Sequence, residues 1–338
     1  MNRIHTNSII PEQISSSGIE TFADLFCGIG GFHYAASQLG LRCVFASEID
    51  EATSAQYEHN CGIKPLGDLT LIKEHNVPDH DILFAGFPCQ PFSIIGDMRG
   101  TKDVRGVLFL EILRILEEKR PKAVILENVR QFASIAQGKT LAQVLVGLNE
   151  LGYDSTWKIL NALYFGLPQK RERIIIVGMQ DGIDKFEWPT TKVPMIPLTD
   201  ILETKPDKRH NVSDRIRQKR KENHTPKQTP SIWHENKGGN ISSHSYSCAL
   251  RAGASYNYLL VNGERRLTPR EQLRLQGFPE SFEVIGSDGA IRKQTGNAVP
   301  VPMVRAVIKE VLDAYCKNQR RSPNTRAIPI EPVYAINN

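Results

Sequence analysis

The 338-residue chain has room for about two domains at roughly 150 residues each, and its 40% hydrophobic and 23% charged residues are the balance of a folded globular protein, which excludes a disordered or fibrous product. No run of about 18 uncharged apolar residues occurs, and the polar, Ser-rich first 19 residues lack the apolar core of a signal peptide, so a cytoplasmic protein without a membrane partner is expected. The net charge of +5 is too small by itself to demand a polyanionic partner, and six cysteines at wide spacings without a Cys-x-x-Cys pair argue for reduced thiols and against a metal site.

In chain order, short apolar runs alternate with longer helical patterns. Strands are predicted at FADLF (22–26), CVFAS (43–47), DILFAG (81–86), AVILEN (123–128) and RIIIVGM (173–179), with helices at 32–39, 52–60, 108–118 and 140–151. Apolar strands buried on both faces and separated by helices predict an α/β fold with a doubly wound, mostly parallel sheet. From 181 to about 289 the sequence turns Pro-rich, Lys-rich and aperiodic, which predicts a second, smaller domain. A helical pattern at 303–315 is expected to return to the first domain. The expected division is therefore 1–180, with 1–19 flexible, then 181–289, then 290–317, and a flexible basic tail at 318–338.

Two places on the parallel sheet carry chemistry. The first strand runs straight into Cys27-Gly28-Ile29-Gly30-Gly31, a turn where a ligand can approach backbone, and twenty residues after Gly28 stand Glu48 and Asp50, placed to accept hydrogen bonds from ribose hydroxyls. Position 33 is His33 rather than the third glycine of a dinucleotide fingerprint, which disfavours a nicotinamide oxidoreductase. At the end of the third strand, Pro88 and Pro91 fix φ on both sides of Cys89, and a stiff thiol at a strand's C-terminal end reads as a nucleophile. Gly138-Lys139-Thr140 fails as a phosphate loop, because Ala133 stands where the first glycine is needed.

Nine blocks in order carry a resemblance: DLFCGIGG (24–31), SEID (47–50), GD (67–68), GFPCQPFS (86–93), DVRGVLF (103–109), ENV (127–129), QKRER (169–173), RRLTPREQLRLQGFP (265–279) and QTGNAVPVPM (294–303). With them the chain resembles the bacterial cytosine-C5 DNA methyltransferases of type II restriction–modification systems. The resemblance implies the S-adenosylmethionine-dependent methyltransferase fold with a target-recognition domain, S-adenosylmethionine as cofactor, and a cytosine flipped out of double-stranded DNA. It implies Cys89 as the nucleophile at C6, Glu127 as the carboxyl beside N3, Arg171 on the base O2 and Arg173 as its structural or phosphate-binding neighbour. It places Phe26, Gly28, Gly30, Glu48, Ile49, Asp68, Pro88, Leu108, Asn297 and Ala298 around the cofactor, and makes 96–105 a loop closing on the base.

The span between the QKRER and RRLTPRE blocks corresponds to the part that recognises the target. Residues 201–230 hold nine basic side chains against four acidic ones, a surplus equal to that of the whole chain, so Arg217, Lys219 and Lys221 are expected on DNA phosphates, with Gln90 and Ser93 also at the DNA. Ala249-Leu250 stands where the family often has Thr-Leu. A monomer is expected. The alternatives are a tRNA-methylating member of the same family and a catalytically silent DNA-binding protein.

Overall fold

The computed structural model describes residues 17–88 and 107–319. Cys89, Gln90, Ser93 and the expected loop at 96–105 lie outside the described residues, as do 1–16 and 320–338.

The first half of the chain builds one six-stranded sheet. Its elements are β1 (Thr21–Leu25), α1 (Gly31–Ser37), β2 (Arg42–Ser47), α2 (Glu51–Cys61), β3 (Ile82–Gly86), α3 (Val107–Lys119), β4 (Ala123–Val129), α4 (Lys139–Glu150), β5 (Asp154–Asn161), β6 (Gln169–Lys170) and β7 (Glu172–Met179). The sheet order is β2-β1-β3-β4-β7-β5. The first four strands are parallel, and β7 runs antiparallel between β4 and β5. The expectation of a mostly parallel sheet therefore needs one amendment, since the strand at 173–179 is reversed. β5 escaped the sequence because it is an edge strand with mixed polar residues (DSTWKILN) and a half-exposed pattern, without the apolar run that marks a central strand.

Successive residues of β3 and β4 point to opposite faces, so both faces are apolar and both are covered. Ile82, Phe84, Ala123 and Ile125 pack with Phe32 and Ala35 of α1 on one face. Leu83, Ala85, Val124 and Leu126 pack with Ile112 and Leu116 of α3 and Val144 and Leu148 of α4 on the other. Such a sandwich opens only at the strand ends, where ligands bind in α/β sheets.

The rest of the chain adds α5 (Leu198–Ile201), α6 (Asp214–Asn223), β8 (Ile232–Glu235), β9 (Ile241–His244), β10 (Ser247–Cys248), β11 (Leu259–Val261), α7 (Pro269–Gln276), α8 (Asp288–Asn297) and α9 (Val301–Gln319). A three-stranded antiparallel sheet, β11-β8-β9, has its own small core around Leu198, Ile232, Leu259, Val261 and Leu275. Phe186, Phe278 and Phe282 instead join the first core, so packing within 181–289 divides nearer to 198 and 275. α9 lies along α1, with Val304, Val307, Ile308 and Val311 buried in that same core. β10 pairs with β6, joining the second sheet's neighbourhood to the first domain.

Phe84 is fully buried between Phe22 and Phe32, its ring stacked on Phe32 at 5.0 Å. Phe84→Ala should lower unfolding stability by about 3–5 kcal/mol, read as a shift of the urea midpoint at constant slope. A cost under about 1 kcal/mol would contradict this packing.

Candidate active site

Four chain segments converge at the C-terminal ends of β1 to β4 and enclose a cavity of about 350 Å³. Its lining comes from Phe26 and Gly28 after β1, Glu48 to Asp50 after β2, Gly86 to Pro88 after β3, and Glu127 to Val129 of β4. Because β7 is reversed, its first residues reach this same end: Arg173 stands opposite Val129 and also lines the cavity. Lys293, Gln294, Gly296 and Asn297 of α8 close the remaining side.

The first turn is set by left-handed backbone. Phe26, Gly28 and Gly30 have φ of 54°, 56° and 89°; the glycines adopt this region freely, whereas Phe26 persists in it only because its surroundings over-determine it. Here Cys27 N donates to Ser47 O at 2.9 Å and Gly28 N to the Glu48 carboxylate at 3.1 Å. Glu48 also accepts from Asp50 N at 2.8 Å, so each of its oxygens holds one backbone N–H and keeps acceptor capacity for a ligand. Burial raises the Glu48 carboxyl above the ordinary carboxylate range, and those N–H groups oppose the rise. A Cβ at Gly28 would meet nothing within 4 Å, because that side of the turn is open. Ile49 is 70% exposed, an uncovered apolar wall beside Glu48.

Several expected cofactor residues are outside the lining of this cavity. Gly30 does not line the cavity; a Cβ there would press on Tyr57 and Cys61, so its role is to let the turn pack on α2. Asp68 caps the turn at Leu69–Leu71, accepting from Thr70 N at 2.9 Å, and Leu108 on α3 and the buried Ala298 are likewise outside the lining. Asp24 is wholly buried, and burial lifts its carboxyl well above the ordinary range.

On the other side of the cavity, Arg173 Nε lies 2.7 Å from Glu127 Oε1, both side chains nearly buried. Burial raises the Glu127 carboxyl, while the charges of Arg173 and Arg171 lower it. Asn128 donates from Nδ2 to Phe87 O at 3.0 Å, and Phe87 packs against Phe109 and Phe132, so the chain is fixed at Phe87, two residues before Cys89.

Arg171 does not face the cavity. It is wholly buried, with Nη1 donating to Leu250 O at 2.7 Å and Nη2 to Gly296 O at 2.9 Å and Ala298 O at 2.7 Å. These bonds commit its terminal nitrogens to backbone, so the expected pairing of Arg171 with a base does not fit; Arg173 is the arginine beside Glu127.

The basic helix α6 is partly self-neutralised. Arg217 pairs with Asp214, Lys221 with Glu264 at 2.7 Å, and the buried Arg220 with Glu235 at 2.6 Å, while Lys219 is exposed. A second basic group escaped the sequence. Arg251 lies over the Tyr258 ring at 4.8 Å, and Arg266 and Arg292 over Tyr256 at 5.9 and 4.3 Å. Their spacing along the chain carries no period, so only the fold assembles them. Asp50 and Lys293 were also missed as a pair; they bridge the cavity rim at 2.8 Å, and Lys293 and Thr53 hold the Asp50 carboxyl down at about 2.

Comparison with known proteins bears on this arrangement. The profile of the C-5 cytosine-specific DNA methylase family matches residues 20–313. The type II methyltransferase M.NgoBI of Neisseria gonorrhoeae is 51% identical over 290 residues, covering 85% of this chain and 91% of that protein. M.HaeII of Haemophilus aegyptius is 48% identical, covering 86% and 92%, and M.HhaI of Haemophilus parahaemolyticus 40% identical, covering 85% and 92%. Among solved structures, the Dnmt2 methyltransferase of S. pombe shares the fold, with a TM-score of 0.67 at 23% identity over 87% of this chain and 98% of that one.

The Glu127–Arg173 geometry makes a titration prediction. Arg173→Met removes a lowering charge, so Glu127 should titrate at higher pH than in the parent, read from its carboxyl 13C shift against Glu127→Gln. A carboxyl whose folded pKa is raised contributes stability that is fully present below the unfolded value of about 4.3 and lost as pH rises through the folded value, so the upper edge of this window should move upward in the variant while its lower edge stays. An unchanged or lower midpoint would contradict the pairing.

Proposed function

Because the chain belongs to the C-5 cytosine-specific DNA methylase family, whose members transfer a methyl group from S-adenosylmethionine to C5 of cytosine in DNA, we propose that this cavity is where donor and flipped base meet. The observation that carries the reading is the buried Glu127–Arg173 pair at the strand ends, facing the same cavity as Glu48 and Ile49.

The residues on the β1–β2 side fit S-adenosylmethionine. The open face of Gly28 admits a ligand against backbone, the spare acceptor capacity of Glu48 suits two ribose hydroxyls, and the uncovered Ile49 suits a planar purine. Phe26, Pro88 and Asn297 complete the wall. Bound there, the cofactor would supply the electrophilic methyl that C5 takes as the methyl–sulfonium bond breaks, its electron pair staying on sulfur and S-adenosylhomocysteine leaving.

Cytosine C5 is a weak nucleophile, so the protein must first raise its electron density. In this reading the Cys89 thiolate adds to C6, forming an S–C bond, shifting the C5–C6 π pair to C4–C5 and the C4–N3 pair onto N3. Glu127 shares a proton with N3, for which a carboxyl lifted by burial is suited, and Arg173 donates to O2 in the role expected of Arg171. Loss of the C5 proton to solvent then re-forms the C5–C6 double bond, Cys89 leaves as thiolate with the S–C electron pair, and the proton shared at N3 returns to Glu127. Asn128 fixes the backbone leading to the nucleophile.

The unit around residues 198–275 would read the target, Arg217, Lys219 and Lys221 would face phosphates, and Gln90 and Ser93 would lie at the DNA. The names of the curated relatives favour DNA over tRNA and a protective role beside a restriction endonuclease. The Glu127–Arg173 pair, of no use to a silent binder, weighs against a scaffold. Action as a monomer in the cytoplasm completes the reading. No helix among the described residues is long and apolar enough to cross a membrane.

Fluorine at C5 blocks proton loss, so duplex DNA carrying 5-fluorocytosine at the target should give a denaturation-stable adduct with the protein and cofactor, and Cys89→Ala should give none. An adduct with that variant would remove Cys89 from its role. Separately, Glu48→Ala should weaken S-adenosylmethionine binding by about 1–3 kcal/mol by calorimetry, the worth of hydrogen bonds to a charged group. An unchanged dissociation constant would place the ribose elsewhere.

A further inference from the structure

From β6 and the residue that follows it, the chain sends two buried side chains, Gln169 and Arg171, into the opposite half of the molecule. Gln169 Oε1 accepts from Leu250 N at 2.9 Å, and Arg171 Nη1 donates to Leu250 O at 2.7 Å, so both backbone polar groups of Leu250 are held from the first domain. The same guanidinium holds the carbonyls of Gly296 and Ala298, while its Nε has no partner among the described residues. Gln276 Nε2 adds hydrogen bonds to Thr295 O and Ala298 O.

The two segments joined in this way also touch directly. A Cβ built on Gly296 would lie 2.3 Å from Ala252 N and 2.7 Å from the Arg251 carbonyl carbon, so only glycine permits this backbone-to-backbone approach. On one side of the contact, Gly296 and Asn297 line the catalytic cavity. On the other, Arg251 is held over the Tyr258 ring, whose hydroxyl accepts from Arg251 N at 2.9 Å and donates to Ala249 O at 3.2 Å.

We propose that Arg171 is a positioning residue that fixes the register between the segment 249–252 of the recognition half and the catalytic cavity, and so determines which cytosine, relative to the bases being read, reaches the reacting groups. The inference rests on the reading of the cavity given above. A single planar guanidinium is suited to the task, because its rigid fork fixes three carbonyl oxygens relative to one another; an ammonium at the end of a flexible stem carries charge without that geometry.

The test compares the parent with Arg171→Lys on a random-sequence duplex library in the presence of S-adenosylmethionine, with methylated positions read by bisulfite sequencing. The parent should methylate cytosines in one sequence context. In the variant, the share of methylation in neighbouring contexts should rise at least tenfold, and kcat on the parent's preferred duplex should fall at least tenfold while Kd for that duplex changes less than threefold. Loss of a direct base contact, or of stability alone, would lower methylation in all contexts by the same proportion, and an unchanged pattern from a variant that still melts cooperatively overturns the proposal. Should Arg171→Lys fail to fold, Gln169→Leu, which releases Leu250 N and leaves Arg171 in place, must broaden the pattern in the same direction or the proposal falls. A parent that methylates no cytosine in the library overturns the reading of the cavity, and the inference with it.

Discussion

The arrangement depends on a reversed strand. Were β7 parallel to β4, its first residues would lie at the far end of the sheet, and Arg173 would be a strand length away from Glu127. Running antiparallel, it opposes Val129 with Arg173 and brings a guanidinium to the ends of the parallel strands, where the glycine turn and Phe87-Pro88 also emerge. Burying two charges side by side costs desolvation that their attraction rarely repays with much surplus, so such a pair is a poor device for stability alone. On the proposed function, its value lies in presenting a carboxyl and a guanidinium together to a polar ring.

Much of this architecture was legible in the sequence. β3 and β4 announce themselves as apolar runs because they are buried on both faces, and the turn after β1 is marked by glycines that its left-handed backbone requires at Gly28 and Gly30. What the sequence could not convey was orientation. Arg171 and Arg173 are two residues apart, which in an unbroken strand would put them on one face. The chain breaks between β6 and β7, where Arg171 N bonds to Gln169 O, and the two side chains part. One goes to Glu127 and the other to three carbonyls. The Ala249-Leu250 pair was opaque for a related reason, since its hydrogen bonds to Gln169 and Arg171 are made through the backbone of Leu250, which every residue type possesses.

Charge is legible in the sequence only as a local count. The stretch at 201–230 stood out because its basic residues are adjacent in sequence, but several are matched by acidic partners once folded, including Glu264 and Glu235 from outside the stretch. Arg251, Arg266 and Arg292 are scattered and drew no notice, although the fold gathers them on the rings of Tyr256 and Tyr258. Local composition records how many charges a segment carries, whereas the field outside the protein depends on how many remain unpaired.

The rim of the cavity shows how little of its closure is entrusted to charge. The Lys293–Asp50 bridge between α8 and α2 is conspicuous, yet both side chains are substantially exposed, and salt reduces such a pair to a small contribution. Beneath it, Gln294 reaches Ala52 O at 3.3 Å, and Gln56 donates to Glu283 O at 2.5 Å and accepts from Ile285 N at 2.9 Å. These neutral bonds lie in part-buried surroundings, where screening is weak and an unmade bond is expensive. With the low carboxyl of Asp50 ionised across the ordinary pH range, neither salt nor mild acid should change the distance between α2 and α8. On the proposed reading, the side of the cavity given to the cofactor is therefore held by neutral bonds, and the base would enter past the segments that border Glu127 and Arg173.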